Sequence, residues 1–307
     1  MTSLVLRTVN ANGTSEGGFV WPKTGPVACP DWDPNIAVPN GLHGALWGEG
    51  DGSLFRWKPD ALWQVLEVPT DTIVNVGGEV KFPSATVLFT GDRLAATSYL
   101  SERAPGRVII GGTAVVGYHG TATVGYHGTA TVGDFGTATA GHFGTATARE
   151  FGTATVGEYG AATAGYQGTA TAGNGGTATT GDAGTAAGAG TAKAGHFGTA
   201  TAGKNGTAKA GDHGTATAGT AGTAKAGDFA TATAGKYGNA TAGRGGTAKA
   251  GDFGTATAGD DGNIIIRWHD HDHDRDRLAV GYVGENGIVA GTAYRCDKVG
   301  GFVRAAL

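Results

Sequence analysis

Two stretches of the chain carry residue types able to do acid–base or metal chemistry. In GLHGALWGEGDGS, Gly41 to Ser53, His43, Glu49 and Asp51 stand among glycines on a loop. A His with two carboxylates can move protons as general acid and base. No nucleophile and no phosphate-loop spacing accompany the trio, so a glycine-rich turn around a hydrogen-bonded His43 is the competing reading. Near the C-terminus, His269, Asp270, His271, Asp272, His273 and Asp274 alternate imidazole and carboxylate. An extended strand would put the three His on one side and the three Asp on the other. That makes His269, His271 and His273 candidate ligands for a divalent metal. A closed four-ligand set is not visible, and a solvated hairpin tip is the competing reading.

Between these stretches the side chains that recur are hydroxyls. From Gly112 an octad of the form G1-T2-A3-T4-A5-G6-x7-x8 repeats nine times to Ala183. A shortened unit, Gly184 to Ala189, drops two residues, and nine further octads run from Gly190 to Asp261. Positions 2 to 5 alternate polar and small apolar residues, the period-two signature of a strand with one buried face. Substitutions say which face is buried: position 4 accepts Lys193, Lys209, Lys225 and Lys249, whereas position 5 becomes Val116, Val124, Val132 and Val156. Charge marks the outside and Ala or Val the inside. The glycines at positions 1 and 6 bracket each strand, and are expected to turn the chain through positive φ.

One strand and its corner carry the chain only one way across, so the smallest closed coil uses two octads. The expected fold is therefore all-β: a β-solenoid of about nine 16-residue coils, stacked at about 4.8 Å per coil into a rod on the order of 45 Å long. Lys193, Lys209 and Lys225 keep the 16-residue spacing, while Lys249 follows after 24 residues, falls on the opposite face and suggests a slipped octad. The deletion at 184–189 should tighten one corner. A stack of this kind exposes a strand edge at each end, so capping segments are expected. Residues 1–106, with five of the six tryptophans and strand-like runs WQVLEV, DTIVNV and ATVLFTG, read as an N-terminal mainly-β capping domain. Residues 107–262 form the solenoid, and 263–307 a C-terminal β-hairpin cap in which Ile264 to Trp268 and Leu278 to Val283 flank the His and Asp stretch.

Composition excludes several functions. A net charge of −4 and no basic cluster argue against a nucleic-acid partner. The N-terminal MTSLVLRTVNANG lacks a signal-peptide pattern and no apolar run reaches about 18 residues, so a cytoplasmic protein without a membrane partner is expected. Cys29 and Cys296 lie near opposite ends and are expected as two reduced thiols. A calcium-binding roll needs a regular Asp at the corner, whereas Asp134 and Asp228 here alternate with His142, Lys204, Lys236 and Arg244. No cofactor is expected.

The strings AGYQGTATAGNGGTATTG and AGKYGNATAG resemble the repeats of bacterial ice nucleation proteins, with their Thr-x-Thr pairs, Gly-aromatic-Gly corners and 16-residue coils. The resemblance covers about half the chain. It implies that outward Thr pairs order water into an ice-like array, and that C-terminal coils exchange Thr for basic residues, as the TAK octads after Gly190 do. The ends resemble an uncharacterised family of bacterial and phage proteins with a G-[FL]-H motif, here Gly41 to His43, a repetitive middle and a Tyr-Arg then Gly-Phe-Val ending; that likeness implies no activity.

Two non-enzymatic functions follow as expectations. One is binding of ice or ordered water by outward Thr pairs, mainly in the half of the array before the lysines appear. The pairs are Thr121 with Thr123, Thr129 with Thr131, Thr137 with Thr139, Thr145 with Thr147, Thr153 with Thr155, and Thr169 with Thr171. Against it stands the plain role of Thr as a solvent-facing strand residue. The other is a self-assembling scaffold or interaction rod that forms a homo-oligomer through solenoid edges or through the corner aromatics Phe135, Phe143, Phe151 and Tyr159, continued at Phe197, Phe229, Tyr237 and Phe253.

Overall fold

The structure is a computed structural model that describes residues 1–305. The chain divides into two compact units. The first comprises Met1–Val115 with Thr123–Ala130 and Ala140–Gly144, and the second comprises Val116–Ala122, Thr131–Thr139 and the chain from Thr145 onward.

The first unit is built on seven strands, β1 (Thr2–Val9), β2 (Gly25–Ala28), β3 (Leu42–Leu46), β4 (Leu62–Pro69), β5 (Val74–Asn75), β6 (Val80–Phe82) and β7 (Ser84–Gly91). They pair antiparallel in the order β2-β7-β4-β1-β3-β6-β5. The central strands bury both faces, so neighbouring residues enter different cores. Val5, Leu66, Val68, Phe82 and Val87 pack on one side with Trp21 and Val27. Leu6, Trp63 and Val65 pack on the other with Ala96 and Leu100 of a helix, α1 (Arg93–Arg103). The runs WQVLEV and ATVLFTG become β4 and β7, whereas DTIVNV shortens to β5 after a single turn at Thr70–Thr72. The helix was not foreseen. Its start is written in Asp92, whose side chain accepts a 2.8 Å hydrogen bond from Ala95 N, an ordinary N-cap.

The solenoid strands form two sheets. One runs from Thr113–Val116 through every second octad to Thr255–Ala258; the other from Thr121–Val124 to Thr247–Ala250 and on into Asn263–Asp270. Partners are parallel and 16 residues apart, for example Thr153↔Thr169 and Thr215↔Thr231. The two-octad coil is what forms, in about ten turns because the first half of Asn263–Asp270 supplies one more rung. Position 3 alanines such as Ala146, Ala170 and Ala208 are fully buried, and position 5 is buried in most rungs. Val116 departs from the inward set: in the first rung it is 37% exposed.

The corners work differently from the expectation. Positive φ belongs to position 8, a non-glycine in most octads: His119, Phe135, Phe143, Phe151, Tyr159, Phe197, Phe229 and Tyr237 all lie between 53° and 58°. The glycines at positions 1 and 6 are required by proximity instead. A Cβ on Gly141 would stand 2.8 Å from Gly125 C and Tyr126 N, and one on Gly211 would stand 2.8 Å from His196 N, because successive turns touch backbone to backbone there. A left-handed residue costs about 1–2 kcal/mol. Here its N–H is used, as Phe135 N donates to Glu150 O at 2.9 Å and Tyr237 N to Asp252 O at 2.9 Å. Rings also stack between turns, Phe135 on Phe151 with centroids 4.8 Å apart and Tyr237 on Phe253 at 5.3 Å. Stacking of this kind is worth about 0.5–1.5 kcal/mol beyond buried area, enough to offset most of the strain.

The two-residue deletion tightens one corner and leaves the register intact, since Thr169↔Thr185↔Thr199 continue without a shift. No octad slips at Lys249 either, which pairs with Thr233 in the second sheet. At the C-terminal end the inward residues grow: Ile264 and Ile266, both buried, continue the inward rows of Ala248 and Ala250. Asn263–Asp270 then pairs antiparallel with Arg275–Tyr282, while Tyr294–Cys296 and Phe302–Arg304 add an antiparallel pair to the first sheet. Antiparallel hairpins thus end both ladders.

Two substitutions probe this packing. Thr180 points inward at position 5 with a buried hydroxyl that has no hydrogen-bond partner among the described residues, so Thr180→Val should raise stability by about 1 kcal/mol in chemical denaturation. Gly211→Ala should lower it by about 2 kcal/mol and accelerate amide exchange in the adjoining turns.

Candidate functional site

Because position 3 is always inward, Thr at positions 2 and 4 must face out, and they do so on both sheets. In the second sheet Thr153 and Thr155, Thr169 and Thr171, Thr199 and Thr201, Thr215 and Thr217, and Thr231 and Thr233 lie rung above rung. Only Ala187 breaks the position 4 row, beside Thr185. Thr121 and Thr123, and Thr137 and Thr139, occupy earlier strands of the same sheet. Hydroxyls are therefore spaced by roughly 6.8 Å along a strand and 4.8 Å between rungs. Among the described residues no protein group hydrogen-bonds the hydroxyls of the five pairs, and β-branching restricts each side chain's rotamers.

The Thr pairs divide between the two sheets, as a two-octad coil requires. Thr129 and Thr131, and Thr145 and Thr147, belong to the first sheet, where Ala161 stands in for a Thr. Thr155 and Thr171 are register partners on the second sheet, so they face away from those four. The two also differ in access: Thr155 is half-buried, as is Thr153, whereas Thr169 and Thr171 are exposed. Nor does the Thr surface end at Thr171. After Thr177 and Thr179 the first sheet turns basic, with Lys193↔Lys209↔Lys225 in consecutive rungs. A 16-residue spacing keeps these lysines on one sheet, so the second sheet carries Thr through to Thr233 and meets a lysine only at Lys249. The Thr rows are divided by face rather than by half.

The corner aromatics stack within the chain along the edges, yet Phe135, Phe143, Phe151 and Tyr159 stay 47, 44, 41 and 61% exposed. Corner acids are used locally: Asp212 Oδ1 accepts from Asp228 N and Asp228 Oδ1 from Arg244 N, both at 2.8 Å.

His43, Glu49 and Asp51 are not brought together. Glu49 bonds Arg107 Nη1 at 3.2 Å and Val108 N at 3.0 Å, and Asp51 caps a turn by accepting from Ser53 N at 2.8 Å. His43 sits instead with Glu79, Nδ1 to Oε1 at 2.9 Å, while Nε2 lies 3.0 Å from Pro39 O. Both neighbours are acceptors, so the protonated ring, which can donate from both nitrogens, is the form that this setting favours. The Glu79 hydrogen bond, opposed by burial, holds the His43 pKa above its ordinary value. Glu79 lies 36 residues away in sequence, and only the β3–β6 pairing joins them.

In the C-terminal hairpin the strand stops at Asp270 and residues 271–274 form the turn, so the His and Asp do not alternate across an extended strand. His269 joins Asp276, which Arg267 also binds; His273 joins Asp270 at 3.0 Å, which Arg277 Nε binds at 2.5 Å. Burial works to raise the Asp270 carboxyl, but Arg277 and then His273 outweigh it and hold it below the usual range. Among the described residues no group of three His, Cys, Asp or Glu converges as a metal cluster. Cys29 and Cys296 are free thiols, and burial pushes Cys296 up to about 11.

Comparison with known proteins finds relatives for about a third of the chain. The repeat array is similar to those of ice nucleation proteins. It shares 42% identity over 104 residues, 33% of this chain, with an ice nucleation protein of Xanthomonas campestris pv. translucens. Over 101 residues it is 43% identical to one from Pseudomonas fluorescens, and over 103 residues 39% identical to one from Pseudomonas syringae. The matched segment spans 7, 8 and 9% of those proteins' lengths, less than a tenth of each. No family profile matches the chain, and no solved structure does. Among the described residues no helix is long and apolar enough to cross a membrane.

The charged state of His43 is open to measurement. A raised pKa adds stability that is complete below the unfolded value near 6.5 and is lost as pH rises through the folded value. His43 should titrate above the ordinary imidazole value by NMR, and Glu79→Gln should return it toward that value and remove that pH dependence.

Proposed function

We propose that the chain is a non-enzymatic, water-organising solenoid whose ice-facing surface is the Thr-x-Thr face of the second sheet, centred on Thr153 to Thr233. The observation that carries this reading is the in-register stacking of Thr pairs on that sheet, continuous across the deletion. A flat array of methyl and hydroxyl groups with few rotamers holds water at repeated spacings without paying ordering entropy again at each site. The names of the similar proteins support the same reading. The basic first sheet interrupts such an array, because flexible, strongly hydrated ammonium groups project from it.

Droplet freezing and ice-growth measurements decide the matter. The protein is expected to raise the freezing temperature of water droplets or to alter ice growth. The triple variant Thr171→Lys, Thr201→Lys, Thr217→Lys should abolish the effect, while Thr147→Lys, Thr163→Lys, Thr179→Lys on the first sheet should preserve most of it. An unmodified protein without effect on freezing or ice growth would sink the proposal.

A second reading, lateral self-association, is favoured by one observation: Phe135, Phe143, Phe151 and Tyr159 remain about half exposed, even though Phe135 stacks on Phe151. Sedimentation at high concentration should then show species heavier than the 30.4 kDa chain, shifted back to monomer by Phe135→Ala with Phe151→Ala.

A further inference from the structure

A cavity of about 610 Å³ lies where the Thr rows of the second sheet end. Its walls include Lys249 and Ile265 from neighbouring strands, Phe253 from a corner, and Arg267, His271 and Leu278 from the C-terminal hairpin. Its size is that of a small-molecule site. A smaller cavity, of about 540 Å³, adjoins Arg7 and Trp21 in the first unit, but their unpaired Nε and Nε1 atoms are sealed from it. The hairpin cavity follows from strand length. Asn263–Asp270 is twice as long as Thr247–Ala250: its first half pairs with that strand, and its second half runs on past the corner where that strand turns away.

This corner leaves a donor open. Along the same edge, left-handed corner residues aim their N–H at the next turn and donate to its carbonyls: Asn205 to Thr220, Ala221 to Lys236 and Tyr237 to Asp252, at 2.9, 2.8 and 2.9 Å. Phe253 is the next such residue, at φ 58°, and among the described residues its N–H meets no acceptor. The carbonyl that would continue the series belongs to Trp268. Val283 N donates to Gly262 O, and alternation down this antiparallel ladder turns the Trp268 carbonyl toward Arg277 instead. Gly251, Asp252 and Phe253 line the cavity, as do Arg267 and His269 of the turn beyond, so the open N–H is aimed into it. A backbone N–H in such a corner is a seat for an anion's oxygen.

Charge favours an anion as well. Lys236, Lys249 and Arg267 line the cavity against Asp252 and Asp276, an excess of cations in a chain of net charge −4. Both acids are engaged: Asp252 meets Lys236 at 3.5 Å, and Asp276 is bound by Arg267 and, at 3.1 Å, by His269 Nδ1. Lys249 is exposed and, among the described residues, has no hydrogen bond or ion pair. An ammonium is a point charge suited to phosphate, whose several oxygens can accept from it and from a backbone N–H at once. Beside these donors the Phe253 ring and Leu278 are exposed apolar walls.

We propose that this cavity binds a small phosphate monoester, its phosphate held by the Lys249 ammonium and the Phe253 N–H and its apolar group lying on the Phe253 ring and Leu278.

The test is a titration of the full ¹⁵N-labelled chain with phenyl phosphate, following the Phe253 amide resonance. It should move and saturate with a Kd below about 1 mM. Lys249→Thr restores the residue usual at position 4, so the fold is kept; it should weaken binding about tenfold, whereas Lys225→Thr on the first sheet should leave the Kd unchanged. The proposal is overturned if the Phe253 amide stays in place up to about 10 mM ligand, if Lys249→Thr binds as tightly as the parent, or if the two variants weaken binding equally. Inorganic phosphate binding as tightly as phenyl phosphate would overturn the assignment to an ester with an apolar group.

Discussion

Parallel hydrogen bonding between octads sixteen residues apart is the interaction from which the rest of the solenoid follows. Each turn contributes only four inward side chains, nearly all Ala, and such a core supplies little apolar area. The backbone ladders must therefore stay in unbroken register, and every position is constrained by that demand. Position 3 stays Ala because the two sheets approach closely. Position 6 stays Gly because one turn's backbone lies under the next, and position 1 because a Cβ would crowd the side chain four residues back and nearby carbonyls, with room at neither site in most octads. Arg149 and Ala230 occupy such positions in two octads, so the constraint is local to the corner and not absolute.

The same ladder explains how the chain tolerates strain at its corners. An L-residue at φ near 55° is unfavourable once, and here it recurs along both edges. Most instances gain an inter-turn hydrogen bond, and many gain a ring stacked on the ring sixteen residues away. The aromatic preference at position 8 is thus explained first by stability within the chain. The half of each ring left exposed is what an association would use.

Register also determines how the surface is divided. A period of sixteen sends alternate octads to opposite sheets, so a change that recurs every second octad alters one sheet and spares the other. Lys193, Lys209 and Lys225 give the first sheet a basic row, while the second keeps its Thr pairs. The turn that lost two residues absorbs the loss in its corner, because a shifted register would break every later rung. In the first unit a different constraint applies: large buried side chains on two faces of one sheet leave room for a cavity and for polar groups that the fold does not fully satisfy.

Period and alternation were legible in the residues alone. The octad, its inward Ala and Val, the outward Thr and Lys, the two-octad coil and the hairpin end all follow from local pattern and from the need to close a thin coil. Tertiary structure decided what pattern cannot express. Glycine at position 6 looks like a turn residue, but its reason is the backbone of a turn sixteen residues away. His43 finds Glu79 across a strand pair and not the carboxylates a few residues along, because β3 and β6 meet while Glu49 and Asp51 turn toward Arg107 and Ser53. The His and Asp run ends its strand at Asp270 since a hairpin must turn, which scatters imidazoles that sequence would align. Local periodicity determines which side of a strand a residue faces; only the packing of distant segments determines what it faces there.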